Sequence, residues 1–380
     1  MGPDLTPPTP GVLTPRVATP GVPAPAMLDL GADAARLTED LVNIESVSGN
    51  EGAIADAVEQ VLVGLNHLTV QRFGNTLVAR TDQGRAERVV IAGHLDTVPL
   101  NDNLPARRDG DGNLHGLGTC DMKGGVAIAL RTAASMPVTN RDVTYLFYEC
   151  EEVEAERNGL FLLSQSHPEL LEADFAILME PSDAVVEAGC QGTMRVDVVT
   201  RGERAHSARS WKGVNAIHGA AEVLARLTAY EPRQPVIDQL EFHEGLNAVF
   251  ISGGVAGNVL PDECVVSVNY RFAPDRSEDE AAAHMHEVFD GFEVIVSDSA
   301  PAAMPGLSVP AAAAFVEAVG GTVNPKFGWT DVARFSALGV PAVNFGPGDP
   351  HLAHKQDEFV PLAHLESVER QLRTWLGEGG

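Results

Sequence analysis

The sequence predicts an α/β protein, with a discontinuous domain built on a mostly parallel, helix-flanked sheet and a second, α+β domain inserted into it. Three observations carry this prediction. Short apolar runs bounded by polar residues ("RVVIAG", "VTYLFY", "DFAILM") alternate with stretches of helical spacing. Between about residues 191 and 298 the texture changes to residue-by-residue alternation, as in half-exposed strands. Beyond 298 the first texture resumes, so the first domain spans 28–190 and 299–380. A chain of 380 residues also exceeds one ordinary core, which makes two domains the default.

The elements follow in order. Residues 1–26 hold eight prolines and four threonines without the continuous apolar stretch of a signal peptide. They read as part of a disordered leader over 1–27, with Met27 as an alternative start. "ARLTEDLVNI" and "GAIADAVEQVLVGL" have helical spacing, "RVVIAG" is a strand, "GGVAIALRTAA" a helix, and "VTYLFY" and "DFAILM" two further strands. In the insert, "TMRVDVVTRG", "NAVFISGG" and "CVVSVNYRF" read as strands, and "GVNAIHGAAEVLARLTAY" and "EDEAAAHMHEVF" as helices. Helical "AAAAFVEAVG", the strand "PAVNFG" and a closing helix "PLAHLESVERQLRTWL" complete the first domain.

Composition excludes several partners. A net charge of -27, from 53 acidic and 26 basic residues, argues against nucleic acid and anionic membrane surfaces. A small molecule or a metal is the better match. No apolar run reaches the 18 or so residues of a membrane span. Cys120, Cys150, Cys190 and Cys264 form no CxxC pair, as expected of reduced thiols in a cytoplasmic protein. No G-x-S-x-G elbow supports a serine hydrolase.

Polar residues with metal-binding chemistry gather where strands run out. "VVIAGHLDTVP" ends in His94-Leu95-Asp96, and in an extended chain positions i and i+2 project to one side. Asp96 is thus placed to accept a hydrogen bond from a metal-bound His94 imidazole. "GLGTCDMKGG" sets Asp121 among glycines before a helix, where it serves either as a ligand or as the helix cap. "FYECEEVEAE" follows a buried strand with Glu151 and Glu152, neighbours that cannot point the same way in an extended chain. One could bind a metal while the other faces a water. Glu180 ends "DFAILME", and "NFGPGDPHLAHKQDE" offers His351 or His354. Two imidazoles and three carboxylates suit Zn²⁺, Co²⁺ or Mn²⁺, and two such ions sharing one carboxylate would use all five donors. The carboxyl ends of the strands of an open α/β sheet are where a site collects.

"GHLDTVP", "GTCDMKGG", "ECEEVEAERNG", "MEPSD", "GERAHSARSWKGVNAI", "GNVLPDE", "NYRFAPDRS" and "AHKQDE" together resemble the M20 family of dinuclear zinc aminoacylases and peptidases, over essentially everything after residue 28. "CQGTMRV", "RAHSARSWKGVNAIH", "GGVAGNV", "NYRFAPDRS" and "GWTDVARF" are similar to the actinobacterial succinyl-diaminopimelate desuccinylases of that family. The resemblance implies His94 and Glu180 on one zinc, Glu152 and His354 on the other, Asp121 bridging, Asp96 supporting His94, and Glu151 as general base. It implies that His206 reaches a neighbouring subunit's site, hence a homodimer joined and lidded by the insert, 191–298. It also places Asn258, Arg271 and Thr330 on substrate-contacting positions, although Arg271 could instead form a strand-end ion pair. The expected reaction is hydrolysis of an N-succinyl amino acid. Acetylornithine deacetylase, another N-acyl-amino-acid deacylase or dipeptidase, or a catalytically silent metal-dependent binding protein are the alternatives. Family members often carry Ser at the place of Cys120, Asp at that of Cys150 and a small residue at that of Trp329. The two thiols are expected to be packed and inert.

Overall fold

The computed structural model describes residues 27–377, so the leader expected over 1–27 lies, but for Met27, outside the described residues. One sheet has eight strands: β1 (Thr69–Phe73), β2 (Thr76–Arg80), β3 (Arg88–His94), β4 (Asp142–Tyr148), β5 (Phe175–Leu178), β6 (Val186–Ala188), β11 (Val323–Pro325) and β12 (Ala342–Asn344). Their spatial order is β1-β2-β4-β3-β5-β12-β6-β11. β4, β3, β5 and β12 run parallel, with His94 opposite Tyr148 and Asn344 opposite Leu178. The C-terminal ends of these four strands therefore share one edge of the sheet. The β1–β2 hairpin adds antiparallel to β4, and β6 antiparallel to β12.

Because successive side chains point to opposite faces, the central strands feed two cores. Val89 and Ile91 join the apolar sides of α1 (Ala34–Val42), α2 (Gly52–Val63), α3 (Gly124–Ser135), α7 (Pro310–Ala318) and α9 (Leu362–Gly377). Val90, Ala92 and Leu146 face α4 (Gly159–Ser166) and α8 (Val332–Ala337). Burial on both faces explains why β4, the "VTYLFY" run, reads as continuously apolar.

The intervening chain forms a four-stranded antiparallel sheet in the order β8 (Gly245–Gly253), β9 (Glu263–Phe272), β7 (Gly192–Arg201), β10 (Glu293–Ala300). Met194, Val196, Val268 and Tyr270 turn inward against α5 (Ala216–Ala229) and α6 (Glu278–Val288). A capping box at Ser277 and Glu280 starts α6. The opposite side carries Thr193, Arg195, Asn269 and Arg271, with Thr193 paired to Arg271 and Arg195 to Asn269. The run "NAVFISGG" departs from expectation. It alternates in sequence, yet every residue from Asn247 to Gly253 is exposed, because β8 is an edge strand with a register shift between Ala248 and Phe250. No helix among the described residues is long and apolar enough to cross a membrane.

Candidate metal centre

The common edge of the parallel strands gathers the predicted donors. His94 closes β3, the Glu151–Glu152 pair follows β4, Glu180 follows β5, and His354 arrives on the segment beyond β12. Ligand atoms of His94, Asp121 and Glu180 lie within 4.8 Å of one another, and so do those of Asp121, Glu152 and His354. Asp121 is common to both groups. His94 Nε2 lies 3.1 Å from Asp121 Oδ1, while His354 Nε2 lies 3.3 Å from Asp121 Oδ2 and 3.0 Å from the Glu152 carboxylate. Two imidazoles and three carboxylates around one shared carboxylate form a donor set fit for two divalent ions.

Geometry bears on the two open alternatives at this site. Asp121 does not cap α3, whose cap residue is Lys123. Its two oxygens face the two imidazoles instead. His351 is exposed on the cleft wall and belongs to none of the donor groups.

The charges carry the same message. Burial pushes Glu180 up to about 8, with the neighbouring Asp121 adding to the effect. Glu151 rises well above the usual carboxylate range, first through burial and then through Asp331, Glu180 and Glu152, against the pull of His94. Glu152 is raised by burial too. His94 is raised well above its ordinary value, since its contacts with Asp121 and Asp96 outweigh burial. His354 is pushed up to about 10, chiefly by Asp121 and then Glu152. Asp121 and Asp96 move the other way, held below the usual carboxylate range against burial by the imidazoles they touch, so each raised imidazole is matched to a lowered aspartate while the three glutamates are raised by burial.

Asp96 organises the edge. The nearest acceptor to His94 Nδ1 is the Asp96 carbonyl oxygen at 3.0 Å, with its carboxylate at 3.5 Å, so main chain and side chain share the support expected of the carboxylate alone. Asp96 Oδ1 also accepts from the Glu151 N–H at 3.0 Å, and Oδ2 from the Glu152 N–H at 3.1 Å and the Ser48 hydroxyl at 2.7 Å. That requires a turn at Glu151–Glu152 rather than the extended chain assumed from the sequence. Cys150 makes the bend with φ +57, a left-handed conformation uncommon outside glycine.

The donors open into a cleft of about 1400 Å³ that Arg271, Thr330 and Trp329 also line. The ion pair at this end of the sheet joins Arg195 to Asp298 at 3.6 Å, and Arg271 forms no ion pair among the described residues but feels the Asp298 charge. The Thr330 hydroxyl is buried without a partner. Trp329 donates to the Pro301 carbonyl at 3.1 Å and, with Phe161, flanks the Arg334 guanidinium. His206 and Asn258 do not line the cleft. They sit together on the insert, both exposed, where the Ser207 N–H donates to the Asn258 carbonyl at 2.9 Å. All four cysteines are buried and unpaired, and burial raises the Cys120 thiol well above its ordinary value and Cys150 to about 12, as expected of inert thiols.

The family model for peptidase family M20/M25/M40 matches residues 90–376. The chain belongs to this family. The M20 chain is 52% identical to the putative succinyl-diaminopimelate desuccinylase DapE of Mycobacterium tuberculosis, over 92% of its own length and 100% of the relative's. Identity to the succinyl-diaminopimelate desuccinylase of Corynebacterium glutamicum is 47%, covering 92% and 98%. Among solved structures, a Staphylococcus aureus tripeptidase superposes with a TM-score of 0.75 at 22% identity, covering 92% of the M20 chain and 98% of its own. A dinuclear metal binding M20 peptidase from Bacillus subtilis gives 0.68 at 15%, covering 90% and 96%.

Several residues that shape this M20 site were missed from sequence. Ser48 holds Asp96, and buried Glu51 accepts from the Cys150 N–H at 3.2 Å. Asp331 receives Asn158 at 2.9 Å behind Glu151, and Glu358 receives three N–H groups of the Asp121 loop. Glu358 stands within the motif "AHKQDE", its one visible signal.

Proposed function

We propose that this chain is a metal-dependent amide hydrolase that converts N-succinyl-LL-2,6-diaminopimelate and water to succinate and LL-2,6-diaminopimelate, on the route to diaminopimelate and lysine. The observation that carries the substrate is 52% and 47% identity, over 92% of the chain, to two proteins bearing the desuccinylase name. In this reading His94 and Glu180 would hold one ion, Glu152 and His354 the other, with Asp121 as a ligand common to both. Zinc suits the donors, with cobalt or manganese as substitutes. When bound, such an ion pair supplies an acidified water and polarises the scissile carbonyl.

The chain's own residues do the rest. Glu151 takes the proton of the attacking water as its oxygen bonds to the amide carbon. It then delivers that proton to the amine nitrogen as the C–N bond breaks. Asp96 keeps His94 and the Glu151 main chain in register. Arg271 and Thr330 meet the substrate from the cleft wall, Arg271 as a carboxylate partner. The partner subunit's His206 donates to the oxyanion, with the partner subunit's Asn258 beside it, in a homodimer whose insert, 191–298, is both contact surface and lid over the catalytic parts, 28–190 and 299–380. Four unpaired cysteines support a cytoplasmic setting.

A turnover panel tests the substrate. Zinc-loaded protein is given succinyl-diaminopimelate, acetylornithine and simple dipeptides, and the succinyl compound is expected to show the highest kcat/KM. Preference for acetylornithine or a dipeptide would replace the desuccinylase reading with another hydrolase of the family. No turnover of any by metal-replete protein would leave a binding protein.

A further inference from the structure

We infer that Glu358 is a positioning residue for the bridging carboxylate, and that metal affinity at both sites depends on it. This rests on the proposed role of Asp121. Glu358 is 1% exposed and lies four residues beyond His354, on the segment that follows β12. Its Oε2 accepts from the Gly118 N–H at 3.1 Å, and its Oε1 from the N–H groups of Cys120 at 3.0 Å and Asp121 at 3.2 Å. Its carbonyl oxygen accepts a fourth bond, from the Gly116 N–H at 3.1 Å.

These contacts bind the loop where it lacks regular structure of its own. Gly118 has φ +79, and Asp121 departs from helical geometry at φ -118 and ψ 93. A single wide-turn bond, from the Lys123 N–H to the Gly118 carbonyl at 2.8 Å, spans the loop, and the Asp121 N–H itself points to Glu358. Glu358 reaches it from across the fold, 237 positions along the chain. A buried carboxyl group whose oxygens gather several N–H groups holds them, because the alternative for each is an unsatisfied buried donor. His354 and Glu358 arrive on one short segment, so the segment that carries one candidate ligand also clamps the loop that carries the shared one. The spacing between His354 and Asp121 is thus set by Glu358 as well as by the sheet. Supports of this kind around metal ligands are worth about 10- to 100-fold in metal affinity.

The test is metal binding rather than turnover. Full-length apo Glu358→Ala, Glu358→Gln and Asp121→Ala proteins, each checked for folding by near-UV circular dichroism, are titrated with zinc against a competing chelator. Glu358→Ala should lose about 10- to 100-fold in affinity for both ions. Glu358→Gln, which keeps one oxygen for Cys120 and Asp121, should lose less, and Asp121→Ala should lose at least as much as Glu358→Ala. Wild-type affinities in folded Glu358→Ala overturn the inference, and a simultaneous loss in Asp121→Ala shows that the shared-carboxylate reading survives it. If Glu358→Ala does not fold, wild-type affinities in Glu358→Gln overturn it instead. Unchanged binding in Asp121→Ala brings down the two-ion reading itself, and the inference with it.

Discussion

Glu151 holds its main-chain N–H on Asp96, while its carboxylate makes no hydrogen bond among the described residues. A buried acid left free in this way is equipped to pass a proton. Glu151→Gln is expected to leave zinc content near wild type while lowering kcat by about 10² to 10⁴, checked by metal analysis and kinetics on one sample. Ligand variants should behave differently. In the division proposed above, Glu152→Ala and His354→Ala each remove a ligand of the same single ion, so either should weaken one ion far more than the other in a stepwise zinc titration. Equal weakening of both ions would contradict the division. His94, Glu152 and Glu180 were legible in the sequence because each ends, or closely follows, an apolar run, where side chains can converge, whereas Asp121 stood out among glycines before a helix and His354 within "AHKQDE". The choice between His351 and His354, and the pairing of donors, needed the family resemblance. Glu51 and Glu358 escaped notice because they accept from main-chain N–H groups, which leave no spacing pattern, and Ser48 because its hydroxyl reaches Asp96 from 48 positions away.

At the scale of elements, the close approach of α3 to the end of β5 sets how near Asp121 comes to Glu180. A Cβ at Gly125 would stand 2.2 Å from the Met179 carbonyl oxygen, so a methyl group there must push the helix from the strand. Gly125→Ala should destabilise the fold by about 1 to 3 kcal/mol, measured by urea denaturation of the apo protein. A midpoint equal to wild type would show that the helix gives way at no cost. The long elements were readable because period and burial agree: β9 alternates buried and half-buried residues along nearly its whole length. β6 and β11, three residues each, were missed along with the β1–β2 hairpin, whereas the equally short β12 was read because the strand sits in the longer apolar run "PAVNFG". The full exposure of β8 was hidden for another reason, since an edge strand and an inner strand of one sheet can share the same sequence alternation.

For the whole molecule, the homodimer proposed above would place its second copy on the exposed edge at β8. Phe250 is 71% exposed, with Val249, Ile251 and, from α5, Ile217 and Leu224 also in the open. Phe250→Lys should shift the protein toward monomer in sedimentation velocity, and lower turnover with it if the oxyanion loses a donor worth about 3 to 4 kcal/mol. Mixing tests the shared site directly. Glu151→Gln and His206→Ala subunits, each inactive alone, should regain activity on exchange, up to about half of wild type per mixed dimer, because one of its two sites then has both residues. Exchange without recovery would mean that His206 does not serve the neighbouring site. The interrupted topology has a further consequence, for the order in which the protein is made. His94, Asp121, Glu151, Glu152 and Glu180 leave the ribosome before the insert, while His354 and Glu358 emerge some 170 residues after Glu180. Throughout that interval the growing chain carries four of these carboxylates with one imidazole and no clamp on the Asp121 loop. If the donors divide as proposed, a site for both ions must therefore wait until the segment carrying His354 has been synthesised.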